Sequence, residues 1–244
     1  MSVAIALAGN PNSGKTTLFN ELTGARQHVG NYPGVTVEKK QGTCVSDAGT
    51  FEVVDLPGTY SLTAYSLEEV VARDFLFNEK PAMIVNIVDA SNLERNLYLS
   101  VQFMEMGIPV CLALNMMDVA SKRGIEINIE KLAALLGVPV VPTIARTGKG
   151  KTELLATVAD KINQPPAPLK ISYGADIDTA LDEMEPLISD NGFLTHTYPA
   201  RWVALKYLES DEQILEKGMR EDPGVARTLA AITSKVTSHL AVTQ

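Results

Sequence analysis

The eight residues Gly9-Asn10-Pro11-Asn12-Ser13-Gly14-Lys15-Thr16 constrain this chain more than any other part of it. They fit G-x-x-x-x-G-K-[ST], with an apolar run before them (residues 2–8) and helical spacing of apolar residues after them (15–22). That strand-before, helix-after context turns a glycine pattern into a structural statement. Glycine lets successive backbone N–H groups turn inward around a polyphosphate, at a helix N-terminus whose dipole favours an anion. Lys15 would bring a point charge to the β- and γ-phosphates, and the Thr16 hydroxyl can ligate Mg²⁺. Thr17 follows in the first turn, so Gly9 through Thr17 is a candidate nucleotide-binding segment.

A phosphate loop of this kind needs a parallel sheet behind it, and the pattern supplies one. Residues 2–8, 42–45, 51–54, 83–88, 110–114 and 138–141 are short apolar runs rich in Val and Ile. Between several of them, residues 15–22, 67–77, 93–106, 130–136 and 152–162 place apolar side chains at spacings of three and four. The alternation predicts an α/β fold with a mostly parallel sheet, helices on both faces and active loops at the carboxyl ends of the strands.

Gln164–Leu169 reads QPPAPL, and three prolines in five positions stop a helix and stiffen the chain. A boundary is expected there, with domains at 1–165 and 170–244. Beyond it no useful strand candidate appears. Ile177, Leu181, Met184 and Ile188 repeat at helical spacing, and residues 198–209 give another helix. Asp222-Pro223 is a helix start, with Val225, Leu229, Ile232, Val236 and Leu240 in one stripe after it. The tail is thus a small all-α domain. It carries twelve acidic and seven basic residues, −5 of the chain's net −8. That balance argues against a chain built to hold nucleic acid. No apolar run approaches the ~18 residues of a membrane span, and the N-terminus lacks the basic region of a signal peptide. Cys44 and Cys111 stand far apart in apolar stretches and read as reduced core residues of a cytoplasmic protein.

Three further motifs bear on the ligand. Asn115-Met116-Met117-Asp118 ends the run 110–114. A carboxylate at Asp118 accepts the two Watson–Crick hydrogens of guanine and would face an acceptor on adenine. Asn115 can brace base and phosphate loop, and Met116 can cover the base where a Lys stem usually does. In PTIARTGKG, Ala145 is expected to offer its backbone N–H to the guanine oxygen. A Ser often precedes that Ala; here Ile144 removes the hydroxyl. Residues 27–37, QHVGNYPGVTV, form a Gly- and Pro-containing loop able to close over a γ-phosphate, with Thr36 as a second Mg²⁺ ligand. Asp55-Leu56-Pro57-Gly58-Thr59-Tyr60 follows a strand. Asp55 would hold Mg²⁺ through water, and the Gly58 N–H would sense the γ-phosphate. Many nucleotide switches place a water-orienting Gln after that Gly, whereas this chain has Thr59.

Other conspicuous residues read as structural. His28 is a solvated loop residue, and His196 and His239 are isolated. The acids of 182–186, DEMEP, form a solvated helix face, and Trp202 is a core residue with partner docking as its alternative.

Taken together, GNPNSGKT, NYPGVTVE, DLPGTYSL, NMMD and the Ala145 loop resemble the cytosolic N-terminal GTPase region of the FeoB ferrous iron transporters. The resemblance is tight over about residues 1–165 and looser over the tail. It implies a P-loop NTPase G domain followed by a helical domain. It further implies a slow, Mg²⁺-dependent GTPase that K⁺ can stimulate, with GTP and GDP as ligands. The family's K⁺-binding Asn maps onto Asn12, and switch-loop carbonyls, here of Gly30 and Tyr32, complete that ion site. Catalysis would then fall to Asn12 and Lys15, with water placed by the closed loop at Gly34, Val35 and Thr36. The expected partner is a membrane-embedded transport domain of the same polypeptide, at the cytoplasmic face of the bacterial inner membrane, and a homo-oligomer is left open. Two other readings stay beside it: a GTPase of RNA modification or ribosome assembly, against which the acidic tail speaks, and a nucleotide-binding module without catalysis.

Overall fold

A computed structural model of the chain describes residues 3–164 and 171–243, with side chains of the last helix as far as 239. Ser2, all of the proline-rich stretch after Gln164 and the Leu240 side chain lie outside the described residues. The chain forms two compact units, Met1–Leu169 and Lys170–Gln244.

The first unit is built on one seven-stranded sheet. Its strands are β1 (Val3–Gly9), β2 (Gln27–Asn31), β3 (Glu38–Ser46), β4 (Gly49–Asp55), β5 (Met83–Asp89), β6 (Val110–Asn115) and β7 (Val140–Pro142). The order across the sheet is β2-β3-β4-β1-β5-β6-β7. β4, β1, β5, β6 and β7 run parallel, while β2 and β3 pair antiparallel at one edge. The residue pattern explains the placement. All six residues of β6 and the first six of β5 are buried, as strands covered on both faces require. All five residues of β2 are exposed, as befits an edge.

Helices α1 (Lys15–Thr23), α2 (Leu67–Glu79), α3 (Leu93–Glu105), α4 (Met117–Lys122) and α5 (Ile129–Leu136) lie between the strands, and α6 (Lys151–Lys161) follows β7. α2 begins in a capping box. Ser66 Oγ accepts from Glu69 N at 3.2 Å, and the Glu69 carboxylate accepts from Ser66 N at 3.3 Å. Leu18, Phe19 and Leu22 of α1 bury against Ile5, Leu7, Val53, Val85 and Val158. Each such side chain contributes about 1.5–3 kcal/mol by leaving water. The sheet order runs from β1 to β4 on one side and to β5 on the other. This is the topological switch point of an open α/β sheet, and the loop carrying Gly9–Thr16 leaves β1 there.

The structure corrects one expectation here. Residues 27–37 are not one continuous loop: Gln27–Asn31 form β2, paired with β3 from Gln27↔Gly42 to Asn31↔Glu38.

The second unit consists, among the described residues, of α7 (Ala175–Asp190), α8 (Ala200–Leu208), α9 (Glu212–Glu221) and α10 (Pro223–Thr243). Its core holds Leu181, Met184, Ile188, Phe193, Trp202, Val203, Tyr207, Ile214 and Leu229. Trp202 is 2% exposed and stacks on Tyr198, the ring centroids 5.0 Å apart. α9 packs closely because position 218 is Gly, where a Cβ would stand 2.2 Å from Tyr207 Oη. Asp222 caps α10, its Oδ1 accepting from Gly224 N at 2.8 Å and Val225 N at 3.1 Å. The acids of 182–186 are not only solvated: Asp182 and Glu185 stand 3.9 and 3.8 Å from Arg201 of α8. No helix among the described residues is long and apolar enough to cross a membrane.

Candidate nucleotide site

Close backbone approach dictates the glycines of the first loop. At Gly9 a Cβ would meet Ile87 O at 2.5 Å, and at Gly14 it would meet Asn115 Nδ2 at 2.2 Å. Gly14 also has φ +91°, a conformation that side chains resist. Asn12 adopts left-handed backbone as well, at φ +66°, with its side chain exposed. Asn10 and Ser13 are buried, and Asn10 Oδ1, Asn10 Nδ2 and Ser13 Oγ have no partner among the described residues. Buried polar atoms left without partners are costly.

Lys15 Nζ donates to Asp55 Oδ1, and both side chains are almost buried. Burial pushes the Asp55 carboxyl above the usual aspartate range, and the Lys15 cation pulls the other way. Gly58 lies beside the loop, since a Cβ there would be 3.5 Å from Pro11 Cα. The structure therefore places Asp55 and Gly58 beside the phosphate loop. Thr59 is buried at 5% exposure. Tyr60 lies under the Arg95 guanidinium, 4.3 Å from its ring centroid.

The other end of the site is organised by Asn115, itself 3% exposed. Its Nδ2 donates to Ser13 O at 2.9 Å, and its Oδ1 accepts from Ala145 N at 2.9 Å and Thr143 Oγ1 at 3.4 Å. One side chain thus ties the phosphate loop to the loop after β7. Here the Ala145 N–H, the donor expected for the guanine oxygen, is engaged by Asn115. Met116 has φ +61°, and its Cε lies close to Gly14. Asp118, in the first turn of α4, accepts from Arg146 Nη2 at 3.2 Å.

Gly30 lies in β2 opposite Lys39, and Gly34, Val35 and Thr36 sit in the turn that follows. Tyr32 N donates to Val37 O at 2.9 Å, and Val35 N donates to Tyr32 O at 3.3 Å. This segment reaches Asp55 through Tyr32, whose buried hydroxyl donates to the Asp55 backbone carbonyl at 3.4 Å. The Tyr32 ring meets Phe75 edge-on at 6.0 Å, with the Lys39 ammonium 5.7 Å from its centroid. Thr36 is exposed, and no hydrogen bond joins it to Asp55 among the described residues. Sequence reasoning gave Tyr32 a carbonyl role only and missed Phe75 and Arg146. The signal for Phe75 was an aromatic on the helix that follows Gly58.

Two hard oxygen donors stand at the phosphate loop, the exposed Thr16 hydroxyl and the Asp55 carboxylate. That chemistry suits Mg²⁺, which takes one or two protein oxygens alongside phosphates. No group of three or more His, Cys, Asp or Glu stands ready for a metal among the described residues.

A strand-borne phosphate loop laced to Asn115 at the end of β6, with Asp118 in the helix that follows, defines a P-loop GTPase. Within that class the match is specific. The family model described as ferrous iron transport protein B fits residues 3–158, and the model of the FeoB cytosolic helical domain fits residues 173–243. The chain belongs to the FeoB family. It is 45% identical over 216 residues to the Fe(2+) transport protein A/Fe(2+) transporter FeoB fusion protein of Porphyromonas gingivalis, covering 87% of this chain and 26% of that protein. It is 43% identical over 212 residues to the Fe(2+) transporter FeoB of Staphylococcus aureus, covering 85% of this chain and 31% of that one. The chain thus spans between a quarter and a third of these relatives. Among solved structures, the apo cytosolic domain of T. maritima FeoB superposes with a TM-score of 0.85 at 35% identity, covering 98% of both chains. A GDP-bound mutant of S. thermophilus NFeoB gives 0.86 at 38% identity, covering 98% of this chain and 90% of its own.

Proposed function

We propose that this chain is the cytosolic switch of a bacterial ferrous iron transporter, binding GTP and GDP and hydrolysing GTP slowly. The observation that carries the reading is Asn115. Its buried amide joins Ser13 of the phosphate loop to Ala145, leaving Asp118 beside them to receive a guanine edge. Lys15 would leave Asp55 to meet the β- and γ-phosphates, and Thr16, Asp55 and Thr36 would hold Mg²⁺. Asn12 with the carbonyls of Gly30 and Tyr32 would hold K⁺. When bound, that ion supplies positive charge against the charge developing between the phosphates. Tyr32 connects the switch segment to the backbone of Asp55, so the state of the phosphates and the state of the loop are linked. Gly34–Thr36 then place the attacking water, and Thr59 does not.

The nucleotide state passes through the helical unit to a membrane-embedded domain of the same polypeptide, at the cytoplasmic face of the inner membrane. Fe²⁺ is the cargo of that domain. The assembly with further copies is left to the whole transporter.

Single-turnover GTP hydrolysis in KCl and in NaCl tests the reading. Turnover should be faster in KCl, and Asn12→Ala should remove the difference, lowering the K⁺ rate by about 10²-fold, the size of effect that losing one preorganised electrostatic contact has. Thr59→Ala should cost less. Turnover no faster than the uncatalysed reaction in either salt would refute catalysis. Stimulation by K⁺ that persists in Asn12→Ala would refute the cation assignment.

A further inference from the structure

We propose that Arg146 is the positioning residue that holds Asp118 for guanine recognition, in place of a hydroxyl at position 144. The proposal rests on the guanine reading above and deepens it. Ile144 has no polar side-chain atom, so it cannot brace the carboxylate. The loop after β7 solves the problem two residues later. Ile144 N donates to Lys149 O at 3.0 Å, and Ile144 O accepts from Thr147 N at 3.0 Å and from Thr147 Oγ1 at 3.2 Å. This short turn puts Arg146 at its exposed tip. Ala145, next in chain, is anchored by its N–H on Asn115. From that fixed base the Arg146 side chain reaches α4, and Nη2 donates to Asp118 Oδ2 at 3.2 Å. No other side-chain hydrogen bond reaches Asp118 among the described residues.

The arrangement leaves room for a base. An ionised carboxylate has about four acceptor directions. Guanine takes one on each oxygen, through N1–H and the exocyclic amine, and Arg146 occupies one more on Oδ2. The Arg146 side chain is 76% exposed, whereas that of Asp118 is only 24% exposed. The Asp118–Arg146 bond thereby adds to those that Asn115 already makes with Thr143 and Ala145 across the two loops that frame the base end. Without the second bond the Asp118 carboxylate is free to rotate, and the bidentate geometry must be ordered on binding. An exposed pair of this kind is weak, so the effect is modest: a loss of about two- to fivefold in affinity.

The discriminating ligand is inosine diphosphate, which lacks the exocyclic amine and so draws on one Asp118 oxygen only. Dissociation constants for GDP, inosine diphosphate and ADP would be measured on the 244-residue protein and on Arg146→Ala. Arg146→Ala should weaken GDP about two- to fivefold and inosine diphosphate less, so the ratio between the two falls. An unchanged ratio, whether both affinities hold or both drop together, would overturn the proposal. So would a tighter GDP complex, which would make Arg146 a competitor of the base. Wild-type protein that fails to prefer GDP to ADP would sink the guanine reading itself, independently of what Arg146 does.

Discussion

Asp55 faces two opposed demands, and its titration should report them. It sits at the end of β4, almost buried, with Lys15 as its partner. Burial is the larger influence and raises its pKa above the ordinary 3.8, despite the cation beside it. The folded chain therefore holds the Asp55 proton more tightly than the unfolded chain does. By linkage, that contribution to stability is fully present below the ordinary value and is lost as pH rises through the raised folded value. In nucleotide-free protein, the melting temperature of wild type minus that of Asp55→Asn should fall across that window, because the amide has no proton to lose. Losing the Lys15 pair shifts the Asn curve as a whole without creating a slope of this sign. A difference that rises with pH would mean that Lys15 outweighs burial. At this scale much of the site was legible. Gly14 is demanded by Asn115, a hundred positions away, and the glycine pattern encodes that approach. Arg146 was not legible, because a basic residue in a loop signals nothing until its turn places it beside Asp118.

At the scale of elements, the readable parts were those whose signal is local or strongly periodic. Strands β1, β4, β5 and β6 lie buried, and their apolar runs stood out. Strand β2 did not, since an exposed edge strand with Gly30 near its end has no alternation to read. It exists because β3 offers it a ladder, a partner that only the fold supplies. α4 escaped notice because its six residues are too few to establish a period. α9 left a usable signal that went unread: Asp211 caps it, with Oδ1 accepting from Ile214 N at 3.1 Å. The Asp222-Pro223 start of α10 was legible because both residues act within one turn. Asp222→Ala removes the acceptor for Gly224 N and Val225 N. It should lower the stability of the helical unit by about 1 kcal/mol, read as a shift of denaturant midpoint at unchanged slope. Asp222→Asn, which keeps a capping oxygen, should lose much less, and equal losses would point to charge rather than the cap.

For the whole molecule, two units with separate cores raise the question of how one can report on the other. The first carries the nucleotide site, and the second carries −5 of the net −8 and no residue assigned to that site. If nucleotide state reaches the helical unit, GTP and GDP must stabilise it differently, because a ligand shifts an equilibrium only by its differential affinity for the two states. Coupling of this kind is typically about 1–3 kcal/mol and is reciprocal. Two thermal transitions are expected, and Asp222→Ala assigns the helical one by lowering it. GDP at about 100 times its dissociation constant should raise the nucleotide unit by about 2.7 kcal/mol. Exchanging GDP for a non-hydrolysable GTP analogue should then move the helical transition as well. Reciprocity supplies the second half of the test: Asp222→Ala, far in sequence from every nucleotide-binding residue, should alter the ratio of GTP-analogue to GDP affinity. If the helical transition ignores the exchange and the ratio holds, the helical unit does not sense the nucleotide state.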